Sequence, residues 1–329
     1  MNVTVLGAGS WGTTVGSLTT ALNPTVIWAR NPDVATEINE AHTNATYLPS
    51  VNLPKRLRAT ADLEEAVRSA DVLIVGVPSK GFRATVEEAR KSIRPWIPVV
   101  SLTKGIESGT LLRMTQVIED LLPGHPAASL TGPNLAREIM AGQAAAAVIA
   151  TDDLGVAAAL QKVLQHRLFR VYRNHDVIGC EIGGALKNVI AIAAGIGEGL
   201  GVGDNTRAAV MTRGLAELAR LGVAMGGEPQ TLAGLAGMGD LVATCMSPFS
   251  RNRTVGEMLG RGKALDEILA DMHMVAEGVG TAQTALFLAD RYGVELPICS
   301  EIHKVVTGQQ PAAAAYLGLR PPGHESDPM

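Results

Sequence analysis

A lysine within an apolar stretch of small residues is the first feature of this chain that could do chemistry. Lys187 lies in the run EIGGALKNVIAIAAGIGEG, where it and Asn188 are the only strongly polar side chains between Glu181 and Glu198. At helical spacing its neighbours are glycine, isoleucine and alanine, and the adjacent turns carry no carboxylate. Because desolvation lowers the pKa of a lysine towards neutrality, such an amine can exchange a proton. We predict a proton-transferring role for Lys187; the alternative is a lysine whose head group reaches water past its short neighbours.

A second group of polar side chains follows in GMGDLVATCMSPFSRNRTVG. On a helix, Asp240 and Thr244 lie one turn apart on the same face. Ser250, Arg251 and Asn252 precede a predicted helix start, and a guanidinium beside free helix N–H groups suits a phosphate. The alternative is that Asp240 and Ser250 only cap helices, which leaves the clustering of Arg251 and Asn252 unexplained.

A glycine motif near the N-terminus predicts a dinucleotide site. Gly7, Gly9 and Gly12 have the G-x-G-x-x-G spacing and stand between a predicted strand and a predicted helix. In such a motif the first glycine permits the turn, the second lets the backbone approach a pyrophosphate, and the third allows close packing of helix on strand. The N–H groups at the start of the helix then face the anion.

Two basic residues follow predicted strands. The second strand ends in WARN, so Arg30 occupies the place where an acidic residue would favour NAD; a guanidinium suits a 2′-phosphate and predicts NADP. Lys104 follows the strand PVVSLT, at the edge of an open parallel sheet where ligands bind. For each residue the alternative is an exposed side chain on a surface loop.

The elements that must position these residues fall into two parts. Short apolar strands alternate with helices from residues 2–6 to residues 144–151, where the last, alanine-rich strand is predicted near an edge. After residue 175 the pattern is helical and interrupted by glycine clusters. We predict an α/β fold with a Rossmann-type doubly wound parallel sheet in residues 1–178, and an all-helical substrate-binding domain in residues 179–329 with a loose C-terminal tail.

The composition limits the possible functions. The 329 residues are 47% hydrophobic, 18% charged and carry a net charge of -4, without a basic face that would predict a nucleic-acid partner. Cys180, Cys245 and Cys299 lack metal-ligand spacing and predict reduced thiols and no metal site. The N-terminus enters a strand directly, and no uncharged apolar run has the length of a membrane span. We expect a soluble, cytoplasmic protein.

Several motifs together resemble the bacterial type of NAD(P)-dependent glycerol-3-phosphate dehydrogenase. They are GAGSWGTT, SLTKGIE, TGPNLAREI, EIGGALKNVIAIAAGIGEGLGVGDNTRAA, GMGDLVATCMSPFSRNR and AEGVGTA, and they span residues 7 to 282. The resemblance implies a Rossmann domain, a helical second domain and a homodimer. It also implies the reversible reduction of dihydroxyacetone phosphate to sn-glycerol 3-phosphate, which supplies phospholipid synthesis.

The resemblance assigns a role to individual residues. It implies Lys187 as the catalytic, proton-transferring residue. The implied substrate-binding residues are Lys104, Gly132, Asn188, Asp240, Thr244, Ser250, Arg251 and Asn252. The implied cofactor-binding residues are Gly7, Gly9, Ser10, Trp11, Gly12, Arg30, Lys104, Ala136, Arg251, Val275 and Glu277. The chain departs from the family at Asn134, where the family commonly has serine.

The predicted reaction passes a hydride from NADPH, or NADH, to the ketone carbon while Lys187 supplies the proton to the oxygen. One alternative is a lysine-dependent Rossmann dehydrogenase acting on a hydroxy acid, but a carboxylate substrate does not require the SRNR cluster. Another is a non-catalytic NADP-binding sensor, which has no need of Lys187 beside Asp240 and Thr244.

Overall fold

A computed structural model describes residues 1–272 and 275–318, which form two compact units. The first unit comprises Met1–Lys104 and Leu112–Val177, and the second comprises Gly105–Leu111 and the described chain from Ile178 onward. The end of the predicted loose tail, residues 319–329, lies outside the described residues.

The first unit contains an eight-stranded sheet with the order β3-β2-β1-β4-β5-β6-β7-β8. The strands are β1 (Val3–Leu6), β2 (Thr25–Trp28), β3 (Arg58–Thr60), β4 (Val72–Val75), β5 (Val99–Ser101), β6 (Ala127–Thr131), β7 (Ala145–Ala150) and β8 (Phe169–Asn174). Seven helices connect them: α1 (Ser10–Thr19), α2 (Pro32–Glu40), α3 (Leu63–Arg68), α4 (Ser79–Ala89), α5 (Met114–Leu121), α6 (Ala136–Met140) and α7 (Leu154–Leu164). The order places a topological switch point between β1 and β4, where ligands bind in open α/β sheets.

Both faces of the sheet are buried, which explains why its strands read as continuous apolar runs. In β4, Val72 and Ile74 pack into one core while Leu73 and Val75 pack into the other. Successive side chains of a strand point to opposite faces, so a strand covered on both sides needs an apolar residue at every position. The predicted doubly wound sheet is confirmed.

Two details of the sheet differ from the sequence prediction. The short strand β3 and the edge strand β8 were not predicted, since RAT is only three residues long and FRVYRN contains two arginines, one on each face of the strand. Strand β7 runs antiparallel to β6, so the sheet is mostly rather than wholly parallel. The alanine-rich strand β7 lies near an edge, as predicted, since only β8 lies beyond it.

From Ile178 onward, the regular elements of the second unit are all helices within its described residues. Its helices are α8 (Val177–Gly199), α9 (Asp204–Ala224), α10 (Pro229–Ala233), a π-helix (Leu235–Gly239), α11 (Asp240–Met246), α12 (Arg251–Gly260), α13 (Leu265–Ala270), α14 (Glu277–Tyr292), α15 (Pro297–Val306) and α16 (Ala312–Gly318). All three cysteines of the chain are buried free thiols, in agreement with the prediction.

The glycine clusters coincide with breaks between helices, as the sequence predicted: α8 ends at Gly199, α9 ends at Ala224 and α10 ends at Ala233. Helix α8 nevertheless continues past the first glycine of its cluster, because Gly195 and Gly199 form its contact with α12. A Cβ at position 195 would lie 2.1 Å from the Arg253 carbonyl oxygen, and one at position 256 would lie 2.0 Å from that of Ile192. The glycines at this contact are spaced four residues apart on each helix: Gly195, Gly199, Gly256 and Gly260. The two backbones therefore touch directly.

Helix α8 is the core helix of the second unit. By length and composition it could cross a membrane, since it has 23 residues and a mean hydropathy of 1.5 in its most apolar window. The prediction of no span rested on uncharged runs, whereas α8 carries charged residues such as Lys187. The same window is 94% buried within the protein, and a buried core helix passes the same test, so this is weak evidence for a span.

Candidate active site

The glycine motif lies at the switch point of the sheet, directly after β1. Gly7 has a φ of 113°. A Cβ there would lie 2.8 Å from the Gly76 carbonyl oxygen, and a Cβ at Gly12 would lie 2.0 Å from that of Gly7. A side chain is thus excluded at both positions by backbone, because the turn, β4 and α1 pack against one another. These two glycines are required by the fold itself.

Gly9 is different, because a Cβ at this position would meet nothing within 4 Å. Its N–H donates to no acceptor in residues 1–272 or 275–318. Helix α1 then starts without a capping side chain or an acidic residue in its first turn. Open space beside free N–H groups at a helix start fits a pyrophosphate, so the residues present fit a dinucleotide.

Several buried polar atoms of the first unit have no hydrogen-bond partner among the described residues. The indole nitrogen of Trp11 and both polar atoms of the Asn134 amide are buried without a hydrogen bond. Buried polar groups are ordinarily paired, so these atoms suit a bound polar ligand. Lys104 follows β5, and its Nζ donates to the Gly132 carbonyl oxygen at 2.7 Å. The structure therefore brings two of the predicted substrate-binding residues together.

The remaining predicted cofactor residues of this unit are placed as follows. Ser10 is the first residue of α1, and Ala136 is the first of α6. Arg30 is exposed just beyond β2, and Asn31 beside it caps α2 by accepting from the Asp33 N–H at 3.0 Å. An exposed arginine here is compatible both with contact to a 2′-phosphate and with a solvated loop position. Its predicted role stays a prediction.

In the second unit, Lys187 is buried and held by two side chains of α11. Its Nζ lies 2.6 Å from the Thr244 hydroxyl oxygen and 3.0 Å from the Asp240 carboxylate. The Thr244 hydroxyl donates to the Asp240 carbonyl oxygen at 2.6 Å, which leaves its oxygen to accept from the amine. Since the Lys187 side chain is only 7% exposed, the alternative of a head group extended into water is wrong.

The arrangement leaves the amine chemically available. An ammonium group has three N–H donors, and Lys187 directs two of them to Thr244 and Asp240. The third has no partner among the described residues. A carboxylate, a hydroxyl and the rigid helix α8 thus fix an amine that can still donate to a carbonyl oxygen, as proton transfer requires.

Cys245, next to Thr244, does not compete as a nucleophile. Burial raises the pKa of its thiol to about 12, and the opposing effect of Lys187 is smaller. Because the thiolate is the reactive form of cysteine, this thiol is inert at neutral pH. Covalent catalysis through this thiol is therefore not available.

Two buried amides connect α8 to the start of α12 and α14. The Asn252 amide nitrogen donates to the Asn188 side-chain oxygen at 2.8 Å. The Asn252 side-chain oxygen accepts the Gly278 N–H at 3.0 Å. Both asparagines are more than 90% buried, so these bonds fix the relative register of the three helices. Asn188 and Asn252 therefore have a structural use besides their predicted contact with substrate.

Arg251 lies at the start of α12, next to Ser250. The Ser250 side chain accepts the Arg253 N–H at 3.3 Å, so Ser250 is the N-cap that the alternative interpretation anticipated. Arg251 is half-buried and donates to the Val275 carbonyl oxygen at 2.7 Å. Burial lowers the pKa of its guanidinium, and the Glu277 carboxylate opposes this.

Arg251 forms no ion pair within the described chain. Its neighbour Arg253 approaches Glu198 and Glu257 at 3.6 and 3.5 Å. A guanidinium carries five donors, so one carbonyl leaves Arg251 with the capacity to bind an anion bidentately. This is the chemistry that a phosphate requires.

Some elements and residues of the candidate site were not predicted from the sequence. The π-helix that precedes Asp240 gave no local signal, although short π segments are frequent at functional sites. Asn44 and Thr13 contact the glycine turn from a loop and from within α1. A buried polar residue distant in sequence leaves no trace in local spacing, so these contacts become visible only in three dimensions.

The fold and the site define a class of protein: an oxidoreductase with a dinucleotide-binding first domain and a lysine-bearing helical second domain. Family models agree with this class. The N-terminal model of NAD-dependent glycerol-3-phosphate dehydrogenase matches residues 2–157, and the C-terminal model matches residues 176–316. The chain belongs to the family of NAD-dependent glycerol-3-phosphate dehydrogenases.

Individual relatives support this assignment over nearly the whole chain. The chain is 57% identical to glycerol-3-phosphate dehydrogenase (NAD(P)+) 2 of Sphingopyxis alaskensis, over 97% of its own length and 96% of that protein. It is 52% identical to glycerol-3-phosphate dehydrogenase (NAD(P)+) 1 of Mycobacterium tuberculosis, over 98% and 96%. A crystal structure of glycerol-3-phosphate dehydrogenase from Coxiella burnetii matches with a TM-score of 0.92 at 34% identity, covering 97% of this chain and 98% of that one.

Proposed function

We propose that this protein catalyses the reversible reduction of dihydroxyacetone phosphate to sn-glycerol 3-phosphate with NADPH, or with NADH. The observation that carries the proposal is the environment of Lys187. This buried amine is held by Asp240 and Thr244 and keeps one N–H without a partner among the described residues. The same unit contains Arg251, whose guanidinium donates to the Val275 carbonyl oxygen and has no ion pair in the described chain.

Each residue of the site has its own role in the proposed reaction. A bound nicotinamide supplies the hydride to the ketone carbon. Lys187 donates a proton to the ketone oxygen during reduction and accepts it back during oxidation. Asp240 and Thr244 hold the amine in place, so little reorganisation is needed when the oxygen becomes negative. Lys104 stabilises that developing charge, and the Gly132 carbonyl fixes its head group.

Arg251 and the N–H groups at the start of α12 bind the phosphate of the substrate. Binding energy from this non-reacting group fixes the three-carbon body and is used for positioning. This feature separates the proposal from a dehydrogenase of hydroxy acids, because an unphosphorylated substrate makes no use of it. Turnover of dihydroxyacetone phosphate far above that of dihydroxyacetone is the expected result.

The proton role is tested by following NADPH oxidation with dihydroxyacetone phosphate in wild type, Lys187→Ala and Lys304→Ala. Lys304 is a matched control in the same unit, where it pairs with Glu301 at 2.6 Å on α15. We expect Lys187→Ala to lower kcat by roughly 10²- to 10⁴-fold, the usual contribution of a general acid. Lys304→Ala should retain kcat within a factor of about two, as surface substitutions do. An unimpaired Lys187→Ala enzyme contradicts the proton role, and NADPH binding without turnover in wild type favours a sensor.

NADP is the proposed preferred cofactor, and Arg30 is the residue proposed to select it. Arg30→Ala should raise the KM for NADPH by about tenfold, the loss expected for one charge-assisted contact, and leave the KM for NADH nearly unchanged. The comparison of kcat/KM for the two cofactors in wild type and variant measures this. Equal efficiencies in wild type would remove the proposed preference.

Assembly, location and pathway complete the proposal. We propose a cytoplasmic homodimer whose product supplies phospholipid synthesis. Sedimentation equilibrium of the purified protein gives its mass, and a value near 34.3 kDa, that of one chain, would rule out the dimer.

A further inference from the structure

We propose that Asn44 is a positioning residue for cofactor binding, because its side-chain amide holds the glycine turn in the shape that presents the Gly9 N–H to a pyrophosphate. The inference rests on the proposed function, since it requires a dinucleotide at this turn. Asn44 lies on the loop that follows α2, and its side chain is fully buried.

The Asn44 amide reaches both sides of the turn. Its nitrogen donates to the Ala8 carbonyl oxygen at 2.8 Å and to the Thr13 hydroxyl oxygen at 2.9 Å. The Thr13 hydroxyl donates to the same Ala8 carbonyl at 3.1 Å. Ala8 stands between Gly7 and Gly9. Two donors therefore fix the one carbonyl in the middle of the glycine motif.

Fixing this carbonyl also orients the next N–H. In a trans peptide unit the C=O and N–H groups lie in one plane and point in opposite directions. The Ala8 carbonyl is directed inward at Asn44 and Thr13, so the N–H of the same peptide unit, which belongs to Gly9, is directed away from them. That N–H has no acceptor among the described residues, and a Cβ on Gly9 would meet only open space.

The loop that carries Asn44 is itself fixed. One Glu37 carboxylate oxygen accepts from the Thr43 hydroxyl and from the Ala45 N–H, each at 2.7 Å. The Leu48 N–H donates to the Asn44 carbonyl oxygen at 2.7 Å. Hydrogen bonds thus hold the loop on both sides of Asn44, and they fix the position of its side-chain amide.

Asn44→Asp tests the role with almost no change of volume. The substitution removes both N–H donors and places a carboxylate oxygen against the Ala8 carbonyl. Asn39→Asp is the matched control, because the Asn39 amide also makes two hydrogen bonds, at 2.8 and 2.9 Å, but it exchanges both with the Ala59 backbone. The two variants make the same chemical change in the same unit, and only one of them touches the turn.

The measurement is the Kd of NADPH by fluorescence titration, with the KM of dihydroxyacetone phosphate at saturating NADPH as a second readout. For Asn44→Asp we expect the Kd to rise by about tenfold or more, while the KM of the ketone changes by less than about twofold. For Asn39→Asp the Kd should stay within about twofold of wild type, whatever happens to its thermal stability. An unchanged Kd in folded Asn44→Asp, or an equal rise in both variants, overturns the inference.

A second pair of variants covers a failure of Asn44→Asp to fold. Thr13→Val removes the hydroxyl that bridges Asn44 and Ala8, and Thr13→Ser keeps it. A rise in the NADPH Kd with valine and its recovery with serine support the inference, and wild-type binding by the valine variant overturns it. Failure of the proposed function is recognised separately, because wild-type protein would then not reduce the ketone, whether or not it binds NADPH.

Discussion

The Lys187 amine and the Asp240 carboxylate lie 3.0 Å apart on α8 and α11, with side chains only 7% and 2% exposed. The carboxylate that the turns adjacent to Lys187 lack is supplied by a helix far along the chain. Each buried charge is therefore compensated by the other, so the pair contributes to stability in addition to its proposed role in proton transfer.

This dependence predicts strongly non-additive mutations. Lys187→Met and Asp240→Asn should each lower the free energy of unfolding by about 3–5 kcal/mol. The first leaves the buried Asp240 carboxylate without its partner, and the second leaves the buried Lys187 ammonium group without its partner. The double variant should cost clearly less than the sum, since no unpaired charge remains. Urea unfolding of the four proteins measures the coupling. Additive losses would show that the two groups do not compensate each other.

Two glycines of the motif should have different roles: Gly12 supports the stability of the fold, and Gly9 supports the binding of NADPH. Gly12→Ala should lower the free energy of unfolding by about 1–3 kcal/mol or more, because its Cβ would meet the Gly7 carbonyl at 2.0 Å. Gly9→Ala should leave stability within about 0.5 kcal/mol and weaken NADPH binding, because its methyl group enters the space meant for the ligand. Thermal unfolding and NADPH titration of both variants provide the check. A Gly9→Ala protein with wild-type affinity would mean that the pyrophosphate lies elsewhere.

The two neighbouring arginines predict different effects on the substrate. Arg251→Lys should raise the KM of dihydroxyacetone phosphate by about 10- to 100-fold, because a point charge cannot replace a bidentate fork. Arg253→Lys should change this KM by less than about twofold, since Arg253 already faces Glu198 and Glu257. Steady-state kinetics at saturating NADPH measure both. The phosphate site at the start of α12 is wrong if Arg253→Lys has the larger effect on KM.

A buried carboxyl group predicts a pH-dependent stability. Burial raises the pKa of Glu217 to about 7 from 4.5, although the group accepts the N–H groups of Ile298 and Cys299 at the start of α15. The folded state thus holds this proton more tightly than the unfolded state. The resulting stabilisation is fully present below about pH 4.5 and is lost as the pH rises through 7, with a total on the order of 3 kcal/mol.

Urea unfolding of wild type and Glu217→Gln at several pH values between 4.5 and 8 isolates this group. The difference between the two proteins should change by about the same amount in favour of the variant as the pH rises. A difference that does not vary with pH would show that Glu217 titrates alike in both states.

The sequence was sufficient to predict those features of the fold and the site that depend on neighbouring residues. The glycine motif, the apolar strands on both sides of it and the helical start after Gly9 are set by neighbouring residues, so their order identified the first domain. The small neighbours of Lys187 marked it as unusual for the same reason. The motifs around Arg251 then narrowed the substrate class to a phosphorylated one.

Contacts between distant residues were not accessible in this way. Helical spacing reports only on adjacent turns, so it could not reveal that Asp240 would reach Lys187 from another helix. The break after α8 was predicted to begin at Gly195 because propensity disfavours glycine, whereas the contact with α12 extends the helix to Gly199. Strand β8 was missed because arginines interrupt its apolar pattern on both faces, and charged side chains are common on an edge strand.

The direct backbone contact of α8 with α12 restricts how this protein can be improved. Replacing helical glycines by alanine is a common route to heat-resistant variants, because it reduces the freedom of the unfolded chain. At Gly195, Gly199, Gly256 and Gly260 that route is closed, since each added methyl group would overlap a carbonyl oxygen of the opposite helix. Engineering for thermal endurance must therefore begin elsewhere in the molecule, and natural drift at these four sites should be slow even though none of them takes part in the chemistry.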